Sequence, residues 1–565
     1  MKRVLALLLC AALLPMIAAA SAKHIESRTL EMDIYRDKVR GAWLGKMVGV
    51  SIGIQREFWY RGEIGPENGV PAWNPALLSV ACIEDDLYLP FVMLQLLDAR
   101  GFGLSAREMA IALYPYSFEF WNGHLYTWEC GIAPPDAGHP QYAPFPDALS
   151  YSFAADYSGL IAPGRPDIPV ALADRFAPLL VYGDGVYAGA YIGALYSEAF
   201  FTCDMIRIVT SALEAVPPDS WLAESIRDVL DYYLDDPADW EAAWQRITQK
   251  YFLRMDYNWI QWPYGGRIGG INLDAKLNCA YMTIALLYGQ GDPERTLSLA
   301  IRSGQDCDSN AANALGILFT TIGWDSLPET YRHAVPTLPD IRYADAGFED
   351  LVEVTERVAS AALSEAGARF IWEDGIERLV IPTVVLPRRQ AENSKKPSPL
   401  VMSFFSPDEM SRMHKPQLQD GGFEDGWHEA IYPPWMVSGA GESGLDLHKG
   451  KAYAGNNNAW LSAAANSKIT LSQHRIFVEP NARYELSCAV RTSAGFGDGF
   501  LAATEAGEGG ASLGSVAFSS QPDYAVVALA FENDAYECID IKIGYTSSER
   551  RGWVQVDEVV LRRVY

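Results

Sequence analysis

Ser303-Gly304-Gln305-Asp306-Cys307-Asp308-Ser309-Asn310, running on into Ala311-Ala312-Asn313-Ala314-Leu315-Gly316, decides how the first two thirds of this chain is read. Two carboxylates stand two residues apart, and a hydroxyl follows at once. The small residues after them predict a tightly packed helix, with Ser309 or Asp308 as its N-cap. Carboxylate and hydroxyl oxygens at a helix start suit a hard cation such as Mg²⁺, Mn²⁺ or Ca²⁺. The same octet also reads as an ordinary capped helix whose second Asp solvates the turn.

Working outward, a second acidic group, Glu84-Asp85-Asp86, opens another apolar run at Leu87. Acids at an exposed helix start would do no more than answer the macrodipole. If the two helix starts meet, their carboxylates repel unless cations sit between them. Ile34 to Ile54 carries glycines at 41, 45, 49 and 53, one face of a helix on which a partner backbone can pack closely. Arg40, Lys46 and Arg56 argue for a soluble packed pair rather than a membrane helix. Residues 55–75 read as a loop, and 87–99 as a buried helix. Residues 183–213, 219–232, 236–249, 274–288, 292–303 and 309–322 continue the helical set. Between them, 114–182 is rich in Pro, Gly and aromatics, with Tyr114, Tyr116, Phe118, Phe120, Trp121, Tyr126 and Trp128 close together. A long irregular stretch of this kind either walls a pocket or fills a core between helices.

The chain has 565 residues, which predicts roughly two to four domains. A hydrophobic share of 49% is that of a globular protein with a full core. The net charge of −26, with no compensating Lys/Arg cluster, argues against a nucleic-acid partner. Sixteen Trp and 29 Tyr suit stacking on sugars but equally furnish large cores. Residues 1–22 read as a secretory signal: Lys2 and Arg3, an apolar run interrupted by Pro15, then Ala20-Ser21-Ala22. The expected location is therefore secreted or periplasmic, with no transmembrane segment in the mature chain. Seven cysteines follow the leader, an odd number without a CxxC, which disfavours a zinc ribbon. Cys488 and Cys538, in strand-like runs, are candidates to pair.

From about 368 the pattern changes. Residues 378–386 read as a strand that Pro382 demotes to an edge or a bulge, and 387–415 as a polar linker. Residues 416–565 show short alternating runs at 475–478, 484–490, 525–529 and 553–556, which predict a β-sandwich. Trp435 and Trp460 are candidates for a stacking platform there, or for its core.

Four stretches, in order, carry a family resemblance. They are Gly41-Ala42-Trp43-Leu44-Gly45-Lys46-Met47-Val48-Gly49-Val50-Ser51-Ile52-Gly53 followed by Glu57; Glu84-Asp85-Asp86; Gly183-Asp184-Gly185-Val186-Tyr187-Ala188-Gly189; and Gly304-Gln305-Asp306-Cys307-Asp308-Ser309. Together they resemble the ADP-ribosylglycohydrolases, which include the dinitrogenase reductase-activating glycohydrolases. The resemblance implies an all-α domain with two divalent metal ions, Mg²⁺ or Mn²⁺ with Ca²⁺ as a further choice, at the bottom of a cleft. By position, Asp85, Asp86, Asp306, Asp308 and Ser309 would be metal ligands, and Glu84, where the family has Thr, an added acid at the metal. Glu57, Asp85 and Asp306 would serve catalysis, with Glu57 assisting proton transfer as water attacks an anomeric carbon. Gly183, Asp184, Gly185 and Tyr187 would meet substrate. Val50 replaces the family's usual Asp, and Ala188-Gly189 its Met-Arg. Residues 416–565 resemble carbohydrate-binding modules of the galactose-binding-like jelly-roll type, through Gly421-Gly422-Phe423-Glu424-Asp425-Gly426-Trp427, the 478–486 run and the 553–559 run.

The expected organisation is therefore a signal peptide at 1–22, an all-α helical catalytic domain at 33–365, a strand and linker region at 366–415, and a jelly-roll sandwich at 416–565. The expected activity is a secreted, metal-dependent glycoside hydrolase acting on a ribosyl, other furanosyl or related glycosidic bond of a carbohydrate or glycoside. The alternatives are a non-catalytic extracellular glycan-binding protein with a degenerate hydrolase domain, and a secreted ADP-ribosyl hydrolase. Paired hard cations that orient diol oxygens and acidify a bound water would supply what furanoside cleavage needs.

Overall fold

The computed structural model describes residues 26–564 apart from 120–126, 129, 144, 253–271, 345, 415–416, 425–428, 432–433, 495, 508, 534 and 549–550. The leader, Phe120, Trp121, Tyr126 and the 425–427 part of the jelly-roll signature lie outside the described residues. The chain divides into two compact units that are discontinuous in sequence. One contains residues up to 102, Tyr151–Asp174 and Tyr187–Ala391; the other contains Gly103–Ser150, Arg175–Val186 and Glu392 onward.

The first unit is helical. Strand β1 (Ser27–Glu31) leads into α1 (Met32–Gly53), and α2 (Asp85–Arg100) follows. Farther on come α3 (Asp184–Ala199), which begins in the other unit, α4 (Trp221–Asp235), α5 (Ala275–Gly289), α6 (Pro293–Ser303), α7 (Cys307–Ile322) and α8 (Phe348–Glu365). The helix expected over 183–213 breaks after Ala199. A second helix, Met205–Ala212, starts there because the Asp204 carboxylate accepts from Ile206 N and Arg207 N at 3.0 and 3.2 Å. The glycine stripe does what its spacing predicts. A Cβ at Gly45 would stand 2.4 Å from Leu315 O, at Gly49 2.4 Å from the Ala311 carbonyl, and at Gly53 2.4 Å from Asp308 Cα. Only glycine lets α1 lie this close to α7, so the stripe sets where the start of α7 sits.

β2 (Arg369–Glu373) and β3 (Ile376–Pro382) complete a small antiparallel sheet in the order β1-β3-β2. The strand predicted at 378–386 is thus central rather than an edge. Pro382 is tolerated because it is the last residue of β3, opposite Ser27, where the ladder ends.

In the second unit, β4 (Met436–Gly439), β5 (Gly441–Leu447), β6 (Asn457–Ala463), β7 (Lys468–Phe477), β8 (Ala482–Thr492), β9 (Asp498–Glu505), β10 (Ser512–Phe518), β11 (Ala525–Asn533), β12 (Cys538–Thr546) and β13 (Val554–Val564) form two five-stranded antiparallel sheets. Their orders are β10-β9-β12-β7-β4 and β11-β8-β13-β6-β5. Alternate residues such as Val527, Leu529 and Phe531 on β11 point into one core with Leu486, Val490, Leu501, Ile541 and Val556. Cys488 and Cys538 do not pair: they belong to different sheets, and every cysteine among the described residues is a free thiol.

Residues 392–414 are not a loose linker but a strap tied down within the second unit. The Asp136 carboxylate accepts from Val401 N and Ser403 N at 3.1 and 2.6 Å. Phe405 N donates to Gly131 O at 2.8 Å, and Ser394 Oγ to Asp147 Oδ2 at 2.7 Å. Arg107 holds Glu409 by two bonds of 2.7 and 2.6 Å. Of the aromatic group at 114–128, Tyr114 and Trp128 are fully buried, the Trp128 indole donating to Leu179 O at 3.1 Å, so these two serve as core.

Candidate metal centre

Glu57, Asp306 and Asp308 each bring a carboxylate oxygen to within 4.8 Å of the other two, the one such cluster among the described residues. Three local features assemble it. Asp308 sits in the first turn of α7, held by its contact with Gly53 at the end of α1. Glu57 follows α1 in a turn where Phe58 takes φ +55°. That turn is clamped to the segment before α7: Phe58 N donates to Gln305 O at 2.9 Å, and Gln305 N to Tyr60 O at 2.8 Å. Gly304, at φ +80°, lies so near Tyr60 that a Cβ there would stand 2.2 Å from Tyr60 O. The loop expected at 55–75 therefore delivers Glu57 to the acids of the quoted octet by backbone pairing.

Asp86, at the start of α2, is buried beside them, and its Oδ2 accepts from Ser309 Oγ at 3.1 Å. Its other oxygen meets Lys46 Nζ at 3.3 Å. Asp85 turns back on the helix start, its Oδ1 accepting from Asp86 N at 2.9 Å, and Glu84 is the residue preceding α2. Both are half-buried. The two acidic helix starts thus meet through Asp86 and Ser309, but Glu84, Asp85 and Asp86 stand outside the three-carboxylate cluster.

Lys46, which with Arg40 and Arg56 argues for a soluble packed helix pair, lies inside the fold. Its side chain is wholly buried, with Nζ 2.9 Å from Asp156 Oδ2 and 2.8 Å from Phe153 O. Asp156 had no signal in the sequence. Nor did the amide relay behind α7, in which Asn310 donates to Asn278 Oδ1 at 3.0 Å and Asn278 donates to Asn272 O at 3.0 Å.

The electrostatics match an assembly of buried acids. Burial, then the charges of Asp306, Glu84 and Asp86, holds Glu57 well above the usual carboxylate range. Burial, then Glu57 and Asp306, does the same to Asp308. Asp306 is pushed by burial to about 6, although hydrogen bonding from Asp308 and Ser309 pulls the other way. Asp86 is raised by burial against the pull of Lys46. Burial opposes the Lys46 ammonium, yet Asp156 and Asp86 outweigh it and raise its pKa. Asp306 Oδ1 and Asp308 Oδ1 are buried without a hydrogen-bond donor. Orphaned buried carboxylate oxygens are costly, and a hard divalent cation fits them and the neighbouring Glu57.

The glycine-rich third stretch has a different setting. Gly183 (φ +50°), Asp184 and Gly185 belong to the second unit and Tyr187 to the first. Gly185 is needed because a Cβ would stand 2.9 Å from Pro146 O, and Tyr187 is buried with the Arg389 guanidinium 5.4 Å from its ring centre.

The sequence model of the ADP-ribosylglycohydrolase family matches residues 31–366. A solved structure described as an ADP-ribosylglycohydrolase-related protein complex is similar at 17% identity, over 58% of this chain and 99% of that one, with a TM-score of 0.36. The carbohydrate-binding module TmCBM61, solved with beta-1,4-galactotriose, is similar at 18% identity over 26% of this chain and 99% of its own, with a TM-score of 0.22. The N-terminal cellulose-binding domain of Cellulomonas fimi beta-1,4-glucanase C shares 14% identity over 23% of this chain and 89% of its own, with a TM-score of 0.20. No curated protein matches the chain.

Proposed function

This chain belongs to the ADP-ribosylglycohydrolase family, and from that premise we propose that it is a secreted, divalent-metal-dependent glycoside hydrolase whose sandwich holds carbohydrate. The observation that carries the reading is the convergence of Glu57, Asp306 and Asp308, with two buried carboxylate oxygens left without donors. Mg²⁺ or Mn²⁺ held by these three, with Ser309 beside them, would orient sugar hydroxyls and make a bound water acidic. Glu57 is the proton carrier. It is half-buried, at the edge of the cluster, where burial and the neighbouring acids favour its protonated form, so a Glu57 released from the cation would exchange a proton with the attacking water or the departing oxygen. Asp306 and Asp308 would hold the cation that places the reacting diol. Asp85 and Glu84, half-buried at the start of α2, border the approach. The 1–22 leader supports export, and no helix of the described residues is long and apolar enough to cross a membrane.

The sandwich offers a sugar platform on the outward face of the β11-β8-β13-β6-β5 sheet. Gly444, Trp460, Gln555 and Arg491 stand in register across four strands. Arg491 Nε donates to Gln555 Oε1 at 2.8 Å, and Gln555 Nε2 to Asp446 Oδ2 at 2.8 Å. The Arg491 guanidinium lies 5.1 Å from the Tyr524 ring centre and 6.0 Å from that of Trp553. Half-buried Trp460 beside a glycine, with fixed donors and acceptors next to it, is what a pyranose face and its hydroxyls require. Trp435 is not part of it, being core with its indole bonded to Asp420 O at 2.8 Å.

The test is sugar release from a panel of plant, bacterial and host glycans, together with ADP-ribosyl-arginine, in Mg²⁺ or Mn²⁺. Release that is lost with EDTA and in Asp308→Ala supports the hydrolase and names its substrate. Sugar binding without release from any substrate favours the non-catalytic glycan-binding alternative.

A further inference from the structure

Lys46 is a fully buried ammonium enclosed by three oxygens: it pairs with Asp156 Oδ2 at 2.9 Å and donates to Phe153 O at 2.8 Å and Asp86 Oδ1 at 3.3 Å. It is therefore a resident cation held between two carboxylates. Its third partner is a carboxylate that a second metal would need. Asp86 Oδ1 faces Lys46, and Asp86 Oδ2 accepts the Ser309 hydroxyl. The one three-carboxylate cluster among the described residues is Glu57-Asp306-Asp308, which Asp86 does not join. A divalent ion bound to Asp86 would lie within a few ångströms of the ammonium. At that depth two like charges repel strongly, because water does not screen them.

Resting on the metal-dependent reading above, we infer that the centre takes one divalent cation, at Glu57, Asp306 and Asp308, and that Lys46 occupies the electrostatic place of a second. Lys46 is then a positioning residue. It holds Asp86 toward Ser309, and through Ser309 the first turn of α7, without touching substrate.

The experiment counts metal. The full chain is stripped with EDTA, reloaded with Mn²⁺, freed of excess and measured by elemental analysis, and its EPR spectrum is recorded. The expected result is one Mn²⁺ per chain with an uncoupled, mononuclear spectrum. Two Mn²⁺ per chain with exchange coupling overturns the inference and leaves the metal-dependent reading standing. No retained Mn²⁺ overturns that reading and the inference with it. In Lys46→Ala the expected count rises from one to two, since the vacated space and the freed Asp86 and Asp156 carboxylates can accept a cation. A folded Lys46→Ala protein that still holds one overturns the stand-in role. Should that variant not fold, the count and spectrum of the unaltered protein decide alone.

Discussion

Asp306 is the residue whose behaviour says most about the centre. Burial pushes its carboxyl up from an ordinary 3.8 to about 6. A raised carboxylate means that the folded chain binds the proton more tightly than the unfolded chain does. From this group, stability is greatest below the ordinary value, falls as pH rises toward about 6 and stays reduced above it. A metal bound there would remove that penalty by taking the proton's place. Mn²⁺ affinity, measured by calorimetry, should therefore weaken as pH falls through 6, by about tenfold per pH unit for each proton displaced. An affinity that is flat between pH 7 and 5 would contradict the assignment. Asp308→Asn should weaken Mn²⁺ binding by ~100-fold or more, since it removes a direct ligand rather than a supporting group. Asp306 and Asp308 stand out in the sequence because their types and spacing signal chemistry, whereas Glu57 is singled out only through the family resemblance. Lys46 and Asp156 do not stand out: a lone Lys within an apolar helix looks like a snorkelling surface residue, and its partner lies 110 positions away in an irregular stretch.

At the scale of elements, the glycine stripe of α1 was readable from its spacing alone, whereas its partner was not. Gly49→Ala would force a Cβ to 2.4 Å from the Ala311 carbonyl. Helix propensity alone favours Ala over Gly by about 1 kcal/mol, but the clash with backbone should win. We expect a net loss of about 1–3 kcal/mol in denaturant unfolding, together with weakened metal binding, because α7 must shift. A neutral or stabilised variant would show that the approach of α1 to α7 is not tight. The strap gives a second prediction. Glu409 is held down at about 2, first by its hydrogen bonds with Arg107. A depressed carboxylate contributes stability above its ordinary pKa of 4.5 and loses it as pH falls toward 2. The pair is partly exposed, so its worth is below about 1 kcal/mol. Arg107→Ala should make the 392–414 segment more sensitive to limited proteolysis at pH 7, and that difference from the unaltered protein should disappear near pH 2. Sequence reasoning read 387–415 as a linker because it is polar and proline-rich. Asp136, whose carboxylate ties the strap, lies far upstream where no local pattern points to it.

For the whole molecule, the sequence pattern announces a helical part and a β-sandwich, but the strands just past residue 368, β2 and β3, belong to the helical unit, which runs to Ala391. The discontinuity of the compact units, with 103–150 and 175–186 grouped with the C-terminal segment, has no signature in composition. The outward row of Gly444, Trp460, Gln555 and Arg491 was equally hidden, since it exists only once four strands are in register. Trp460→Ala should reduce retention on the bound glycan at least tenfold in affinity electrophoresis while leaving hydrolysis of a small soluble glycoside unchanged. Loss of both together would deny the sandwich a separate binding role. The central claim is that hydrolysis depends on a cation at Glu57, Asp306 and Asp308. Its most direct test is to titrate Mn²⁺ into the EDTA-stripped chain and follow glycosidic bond cleavage and bound metal in the same sample. The account predicts a rate that rises in proportion to occupancy, saturates when the site is full, and stays at background in Asp308→Ala. Full cleavage in the stripped chain, or cleavage unaffected by Asp308→Ala, would contradict it.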